Sequence, residues 1–528
     1  MGWWNAKMLN KKGFALFLIA LISVNDAYKI LVIFPLCSKS HNNLGKGVVN
    51  NLLDAGHEVV YCTCFADKEK RPNLTEIDLS HVETQLGFDK DMEEQFKIKN
   101  LVGKNNFADS LFFMYVTYEI HRLFLNDDVL INFLSDTNQK FDAVVAEWFF
   151  SELFSGIAPL FQSHMIWFAT TEAHWQILRI VDDIPSPAYS TDLFSVNIPP
   201  LDFLQRAKEL WSVIKRYVIL NCVVMPIEQH LYNKVYTPIG ETRGIKLPSY
   251  YDAAYNGSLL LLNSHPSIGT PFRLPQNAHY VAGFHIDTKT KPLPENLQKL
   301  MNEAKHGVIY FSMGSNLKSM GMSDFMRDSL LKMFSELKQT VIWKFESDLD
   351  NVPKNIHLTK WAPQQSVLAH PNLKMFITHG GQLSTTEAIH FGVPVVGIPV
   401  YGDQHVNMKS AVEKGVGITV TLDDNMAGEL SAAIREILNN PSYSKTAKEL
   451  SSIFHDRPMP LGKELVYWVE HVIRTGGARH LRSPAINVPL YQKVYLDLLL
   501  IVALILYVTL KVLRRLFLKI TSVKVKKS

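Results

Sequence analysis

The sequence predicts an α/β protein of two doubly wound domains facing a cleft, followed by a C-terminal transmembrane helix. Three observations carry that prediction. Continuous apolar runs such as Ile30–Phe34 and Val308–Phe311 alternate with helical periodicity in both halves of the chain, which is how parallel strands buried on both faces read. The chain has 528 residues, too many for one core, so two domains are expected. Val494 to Leu510 is apolar apart from Asp497 and Thr509, and a basic tail follows it.

The elements follow in order. Lys7, Lys11 and Lys12 precede an apolar run from Phe14 to Ile22, with small or polar residues from Ser23 to Ala27. That is the layout of a secretory signal peptide over residues 1–27, and the run is too short to span a bilayer. Ile30–Phe34 then reads as a strand. Leu44, Val48, Leu52 and Leu53 recur at helical spacing, Gly56 ends that helix, and Val59–Tyr61 forms the next strand. A right-handed crossover makes this pair parallel. Further strands are expected at Ala143–Ala146 and Ile166–Ala169. Phe107–Leu125 and Leu201–Tyr217 are long amphipathic segments, whose apolar stripes are expected mostly to pack in the core, some of them lining an apolar pocket. These elements make a first domain over 28–265. The Pro-rich stretch 266–294 reads as a linker.

A second domain is expected over 295–480. Its strands are Val308–Phe311, Val341–Trp343, Phe376–Ile377, Val395–Ile398 and Ile418–Val420. Its helices are Asp324–Leu337, Ser384–Phe391, Asn407–Lys414 and Glu429–Leu438, with Ala447–Ile453 and Leu461–Ile473 closing it or crossing back to the first domain. The apolar span 494–510 covers roughly 25 Å as a helix, and Lys511, Arg514 and Arg515 extend it by snorkelling. Residues 511–528 hold seven Lys/Arg and no acid. Positive flanks stay cytosolic, so a single-pass type I membrane protein with a lumenal body is expected. Lys524 and Lys526 match a lysine-based endoplasmic reticulum retrieval signal; a polybasic tail lying on the membrane is the alternative.

Charge and cysteine content narrow the class. The formal charge is +4, of which the first 27 residues hold +2 and the tail +7, leaving −5 for the body. That is no footprint for nucleic acid. Asn73-Leu-Thr75 and Asn256-Gly-Ser258 are glycosylation sequons, consistent with a lumenal body. Cys37, Cys62, Cys64 and Cys222 are too few for a disulfide scaffold and lack zinc-site spacing, so ordinary core cysteines are expected. Gly45-Lys46-Gly47 is followed by Asn50 where a dinucleotide fingerprint needs its third glycine, and no Walker A sequence occurs. Dinucleotide oxidoreductases and P-loop enzymes are disfavoured.

The most informative stretch is Phe376 to Gln404, FITHGGQLSTTEAIHFGVPVVGIPVYGDQ. It reads as a strand, a His379-Gly380-Gly381 turn, a helix opening at Ser384, a second strand and an Asp403-Gln404 pair. A helix N-terminus beyond a strand's carboxyl end is where α/β proteins bind phosphates. Its His, glycines, Glu387, Pro394, Pro399 and Asp403-Gln404 resemble the signature of the UDP-glycosyltransferase superfamily, in particular its membrane-bound insect branch. The resemblance covers most of residues 28–480 and implies two Rossmann-like domains of the GT-B type.

A UDP-sugar presents a base, a ribose, a diphosphate and a sugar, and the resemblance assigns a group to each. Trp361 would stack on uracil and Gln364 bond its edge. Glu387 would bind the ribose hydroxyls, although Ser384-Thr385-Thr386-Glu387 also reads as a capping box in which Glu387 only caps the helix. Ser315, His379, the Gly380-Gly381 turn and the helix opening at Ser384 would hold the diphosphate, and Asp403 and Gln404 the sugar. No His/Cys spacing or Asp-x-Asp suggests a metal, so the expectation is a UDP-sugar co-substrate without metal or cofactor.

The family carries a catalytic His after its first strand, and His41 is the match. Imidazole suits removal of a hydroxyl proton near neutrality. Vertebrate members place an Asp after the strand equivalent to Ala143–Ala146; Glu147 stands there, a methylene longer. The implied reaction is inverting displacement onto a small lipophilic acceptor: a phenol, flavonoid, steroid or xenobiotic. Two departures bear on the donor. Leu383 replaces a vertebrate Asn, so one phosphate or sugar contact is expected from elsewhere, such as Ser384. Leu262 replaces the Arg of glucuronosyl members, which favours UDP-glucose over UDP-glucuronate, with UDP-galactose a further alternative. A non-catalytic UDP-sugar-binding relative is the alternative class, and retention of both His41 and Glu147 argues against it. The sequence does not name the acceptor and leaves a homo-oligomer open.

Overall fold

The computed structural model describes residues 27–67, 69–85, 94, 97–103, 110–287 and 289–525. The expected signal segment before Ala27, residues 107–109 of the first amphipathic stretch and the terminal Lys526-Lys527-Ser528 lie outside them.

A seven-stranded parallel sheet contains β1 (Lys29–Phe34), β2 (Glu58–Thr63), β3 (Leu74–Asp78), β4 (Ala143–Trp148), β5 (His164–Ala169), β6 (Leu259–Leu262) and β7 (Ala278–Tyr280), in spatial order β3-β2-β1-β4-β5-β6-β7. Ile30, Val32 and Phe34 enter one buried cluster while Leu31 and Ile33 enter another. Both faces are covered, which is why β1 reads as an unbroken apolar run. The stretch read as a linker contributes β7 to this sheet. The helices that concern the site here are α1 (Lys39–Asp54), α2 (Ser110–Leu125), α3 (Phe203–Ile219) and α4 (Met225–Arg243).

The second sheet has six parallel strands, β8 (Val308–Ser312), β9 (Thr340–Lys344), β10 (Ile356–Thr359), β11 (Leu373–Thr378), β12 (Val395–Gly397) and β13 (Gly417–Thr419), in order β10-β9-β8-β11-β12-β13. Its helices are α5 (Asp324–Ser335), α6 (Gln364–Leu368), α7 (Gln382–His390), α8 (Gln404–Glu413), α9 (Met426–Asn439) and α10 (Ser442–His455). Next, α11 (Leu461–Arg474) crosses back, and its Leu465, Val469 and Val472 join the core on one face of the first sheet. The last helix, α12 (Leu496–Val525), contains over Leu496–Lys519 an 18-residue apolar stretch with mean hydropathy 2.5 and no burial against the body. At about 1.5 Å per residue the helix over Leu496–Lys519 reaches roughly 36 Å, long enough to cross a bilayer core.

Two expectations fail. Cysteines 37 and 64 form a disulfide, with Cα atoms 5.3 Å apart. Strands β1 and β2 are parallel neighbours, so residues just beyond their carboxyl ends lie side by side, a proximity invisible in the linear spacing. Only Cys62 is a buried core thiol; Cys222 is exposed. Most of the stripe over 201–217 is not core either, although Leu201 is buried and Val213 and Tyr217 pack against the core. Within α3 only Glu209 is buried, while Phe203, Leu204 and Trp211 are 74%, 67% and 67% exposed. Periodicity reveals that a helix has an apolar face, not that anything covers it.

Candidate active site

In each sheet the topology reverses between two neighbouring strands, β1 and β4 in the first, β8 and β11 in the second. Such switch points open a crevice at the carboxyl ends of the strands. Both crevices border one cleft of about 460 Å³, lined from the first half by His41, Phe113 and Phe149 and from the second by Ser315, Trp361 and His379. Direct bonds join the two halves: Gln382 Nε2 donates to the Asn263 carbonyl at 3.1 Å, and Ser38 Oγ donates to Asn316 Oδ1 at 3.2 Å.

His41 lies in the first turn of α1, not in a loop, so the helix itself aims it. Its Nδ1 bonds Glu147 Oε1. Glu147 is fully buried near the end of β4, and its Oε2 has no partner. The Phe149 ring meets the imidazole edge-on at 5.1 Å, and Phe113 meets Phe149 at 5.8 Å. With Nδ1 committed to the carboxylate, Nε2 is the nitrogen left to accept a proton.

On the facing wall, β11 ends at Thr378 and delivers His379. The ring is gripped by two glycines: a Cβ on Gly314 would lie 2.6 Å from its Cε1, and one on Gly381 would lie 2.6 Å from its Nε2. Burial, and then the neighbouring Lys344, push the His379 imidazole down to about 4, so it is neutral at pH 7 and offers one N–H. Gly380 does not supply the free N–H expected of it. Its N–H donates to Thr378 Oγ1 at 3.3 Å, and its φ of +83° makes the turn that glycine permits.

Helix α7 opens at Gln382 with Gly381 as its N-cap, two residues before Ser384. The capping-box reading therefore fails, because Ser384 already lies inside the helix. Glu387 instead accepts from Gln364 Nε2 at 2.6 Å and from Gln365 Nε2 at 3.2 Å, and Gln364 also donates to Ser384 Oγ at 3.3 Å. Trp361 is 58% exposed at the cleft mouth, with the Lys39 ammonium 5.2 Å and the Lys344 ammonium 5.9 Å from its ring. Asp403 accepts from Asn407 Nδ2 at 2.8 Å, and burial raises its carboxyl. Gln404 Oε1 is taken by the N–H groups of Val400 and Tyr401 at 2.8 and 3.1 Å, so only its amide nitrogen remains for a ligand.

Sequence reasoning missed Lys344. It closes β9, is 8% exposed, lines the cleft, and donates to the Gly314 carbonyl at 2.5 Å. A lysine ending an otherwise apolar VIWK run was the available signal; Glu346, two residues on, pairs with its ammonium at 3.4 Å. Leu383 lines the cleft while packing against the first domain's core. Leu262 is fully buried at the end of β6 and does not line the cleft, so the donor argument built on it loses its footing. Asn73 and Asn256 are both exposed. Among the described residues no group of three or more His, Cys, Asp or Glu is placed to hold a metal.

Two facing doubly wound sheets with their carboxyl ends on one cleft define a GT-B glycosyltransferase fold. Solved structures agree: the chain resembles glycosyltransferase VinC in complex with DTDP (TM-score 0.55, 15% identity, covering 84% of this chain and 100% of that one). It also resembles glycosyltransferase SnogD from Streptomyces nogalater (TM-score 0.53, 17% identity, 84% and 100%). The model of the UDP-glucoronosyl and UDP-glucosyl transferase family matches residues 29–527, and the chain belongs to that family. It is therefore an enzyme that transfers a sugar from a UDP-sugar. Among its relatives, UDP-glucosyltransferase 2 of Dactylopius coccus is 31% identical over 92% of each chain. The 2-hydroxyacylsphingosine 1-beta-galactosyltransferase of Homo sapiens is 28% identical over 92% of this chain and 88% of its own.

Proposed function

We propose that this enzyme transfers glucose from UDP-glucose to a hydroxyl of a small lipophilic acceptor, with His41 as base and inversion at the anomeric carbon. The observation that carries the reading is the His41–Glu147 pair facing the His379 turn across one cleft. His41 Nε2 takes the acceptor's hydroxyl proton, and the freed oxygen pair attacks the anomeric carbon from the side opposite UDP. The bond from that carbon to the diphosphate oxygen breaks, and its electron pair leaves with UDP. Glu147 holds the imidazolium so formed. The His379 and Ser315 side chains, the α7 N-terminus and Lys344 stabilise the charge on the departing diphosphate, a set that asks for no divalent ion. Trp361 and Gln364 take the uracil, Glu387 the ribose, Asp403 and the Gln404 amide the sugar hydroxyls. Residues 28–265 act as the acceptor domain and 295–480 as the donor domain. The aromatic wall of Phe113 and Phe149 beside His41 suits flat apolar acceptors.

The similarity to a UDP-glucosyltransferase of Dactylopius coccus supports glucose. A uronate donor is the second reading, favoured by Lys39 and Lys344 lining the same cleft. We place the body in the endoplasmic reticulum lumen, with α12 spanning the membrane, the basic tail cytosolic, and Asn73 and Asn256 glycosylated. The Cys37–Cys64 disulfide supports an oxidising compartment. The test offers UDP-glucose, UDP-glucuronate and UDP-galactose with pooled phenolic and steroidal acceptors to membranes bearing the full chain, with EDTA present. A glucoside that disappears in His41→Ala, while UDP binding persists, is expected. A glucuronide would overturn the donor assignment, and full turnover by His41→Ala would overturn the base.

A further inference from the structure

At the opposite end of the first sheet, by the amino ends of β5 and β6, lies a second cavity of about 390 Å³. His164 opens β5 into it, Ser258 immediately precedes β6, and Arg479 and Arg482 arrive from the segment joining α11 to α12. No carboxylate lines it. Among the described residues none of its three basic side chains makes an ion pair. Arg482 donates to Asn256 Oδ1 at 2.7 Å and to the Asn256 carbonyl at 2.9 Å, and its buried Nε has no partner. Gly476 and Gly477 adopt φ of +63° and +96° at the rim. A Cβ on Gly477 would lie 2.9 Å from His164 Nδ1 and 3.4 Å from Ser258 Oγ, so the backbone closes directly onto those two groups.

The cations oppose one another. Burial and then Arg479 hold the Arg482 guanidinium below its ordinary range, and burial, then Arg479 and Arg482, lower the His164 imidazole. The carboxylate that favours His164's charged form, Asp142, already accepts from the Lys29 N–H at 2.8 Å. An arrangement of two guanidiniums, an imidazole and a hydroxyl around a recess, with no counter-charge, is what phosphate oxygens satisfy.

We propose that this cavity binds a phosphate-type oxyanion. Its ligand is either a membrane phospholipid headgroup or a soluble phosphate. The chain enters the membrane helix at Leu496, and Lys493 is tied back to Asp183 at 3.1 Å, so the cavity sits on the segment that leads to the bilayer. The donor cleft lies at the other end of the sheet, and the proposal is independent of it.

The test uses the full chain in detergent, with saturating UDP filling the donor cleft. Inorganic phosphate is titrated against chloride at constant ionic strength, and thermal midpoint and calorimetric binding are read. A parallel arm reconstitutes the chain in nanodiscs of phosphatidylcholine alone or with phosphatidic acid. Stabilisation by inorganic phosphate identifies a soluble-anion site. Stabilisation by phosphatidic acid alone identifies a headgroup site. In either case Arg479→Gln, an exposed position, and His164→Gln should each weaken the effect about tenfold, the order of one charge-assisted hydrogen bond, with sugar transfer unchanged. No response of the unmodified chain in either arm, or an equal response in both variants, would overturn the proposal.

Discussion

His379 and Lys344 share one wall of the cleft, and their chemistry separates their roles. The imidazole at about 4 stays neutral and offers a diphosphate one N–H, whereas on the proposed mechanism the lysine would supply the positive charge. A comparable division holds across the cleft, where Glu147 is fully buried and His41 is the partner that reaches the cleft. Glu147→Gln keeps the volume and removes the charge that supports imidazolium, so kcat should fall by roughly 10²–10⁴ with the UDP dissociation constant unchanged. Stopped turnover together with UDP calorimetry checks this, and a fall in UDP affinity instead would mark Glu147 as structural. Trp361 stands at the opposite extreme, exposure: a large aromatic 58% exposed beside two lysines offers ring surface to the cleft. Stacking on a base contributes on the order of 1–3 kcal/mol, so Trp361→Ala should weaken UDP binding roughly 5- to 150-fold while sparing the melting temperature.

Among the elements, turns matter more than helices or strands, because the site is assembled just beyond the strand ends. Gly314 has a φ of +88° and touches the His379 ring. Gly314→Ala therefore incurs both left-handed strain of about 1–2 kcal/mol and a displaced imidazole; UDP binding should be lost before the fold is, as calorimetry beside a melting curve would reveal. The Cys37–Cys64 bridge plays the corresponding part on the acceptor side, pinning the segment that leads into α1 and His41. Closing a loop of sequence separation 27 contributes about 3–4 kcal/mol in the chain-entropy picture. Cys64→Ser should lower stability by that order and reduce turnover at fixed UDP affinity, read by denaturant melts and initial rates. These turns also mark what a sequence conceals. The strands were legible because burial on both faces leaves unbroken apolar runs. The His41–Glu147 pair spans 106 positions and the disulfide 27, and both depend on β1 having β2 on one side and β4 on the other. Motif resemblance supplied the first pair; nothing in local pattern supplied the second. The start of α7 was misplaced because Ser384 looks like a cap, while the actual cap is a glycine chosen for its closeness to His379.

At the scale of the whole molecule, burial of titratable groups sets the pH range in which the fold is stable. Burial lowers His174, His265, His279 and His379 to about 4, and His121 and His390 to about 3. An unfolded chain protonates these near 6.5, so below that pH the unfolded state binds more protons than the native one. Stability is then lost progressively as pH falls from about 6.5 toward the folded values. Glu172 and Glu228 act in the opposite sense, because burial raises them to about 7 and about 8. The native state holds their protons where the unfolded state has released them, so their contribution is complete below about 4.5 and is lost as pH rises through 7 and 8. The histidines outnumber the carboxyls, which makes the acid limb the steeper one and puts the optimum near neutrality. Thermal melts of the full chain from pH 8.5 to 4.5 should peak near pH 7, decline gently above it and fall steeply below about 6. His121→Leu gives a specific check, since both ring nitrogens of His121 are buried without partners beside Phe154. That variant should lose less stability than the parent between pH 6.5 and 5, and an acid limb of unchanged slope would show that His121 takes no part in it.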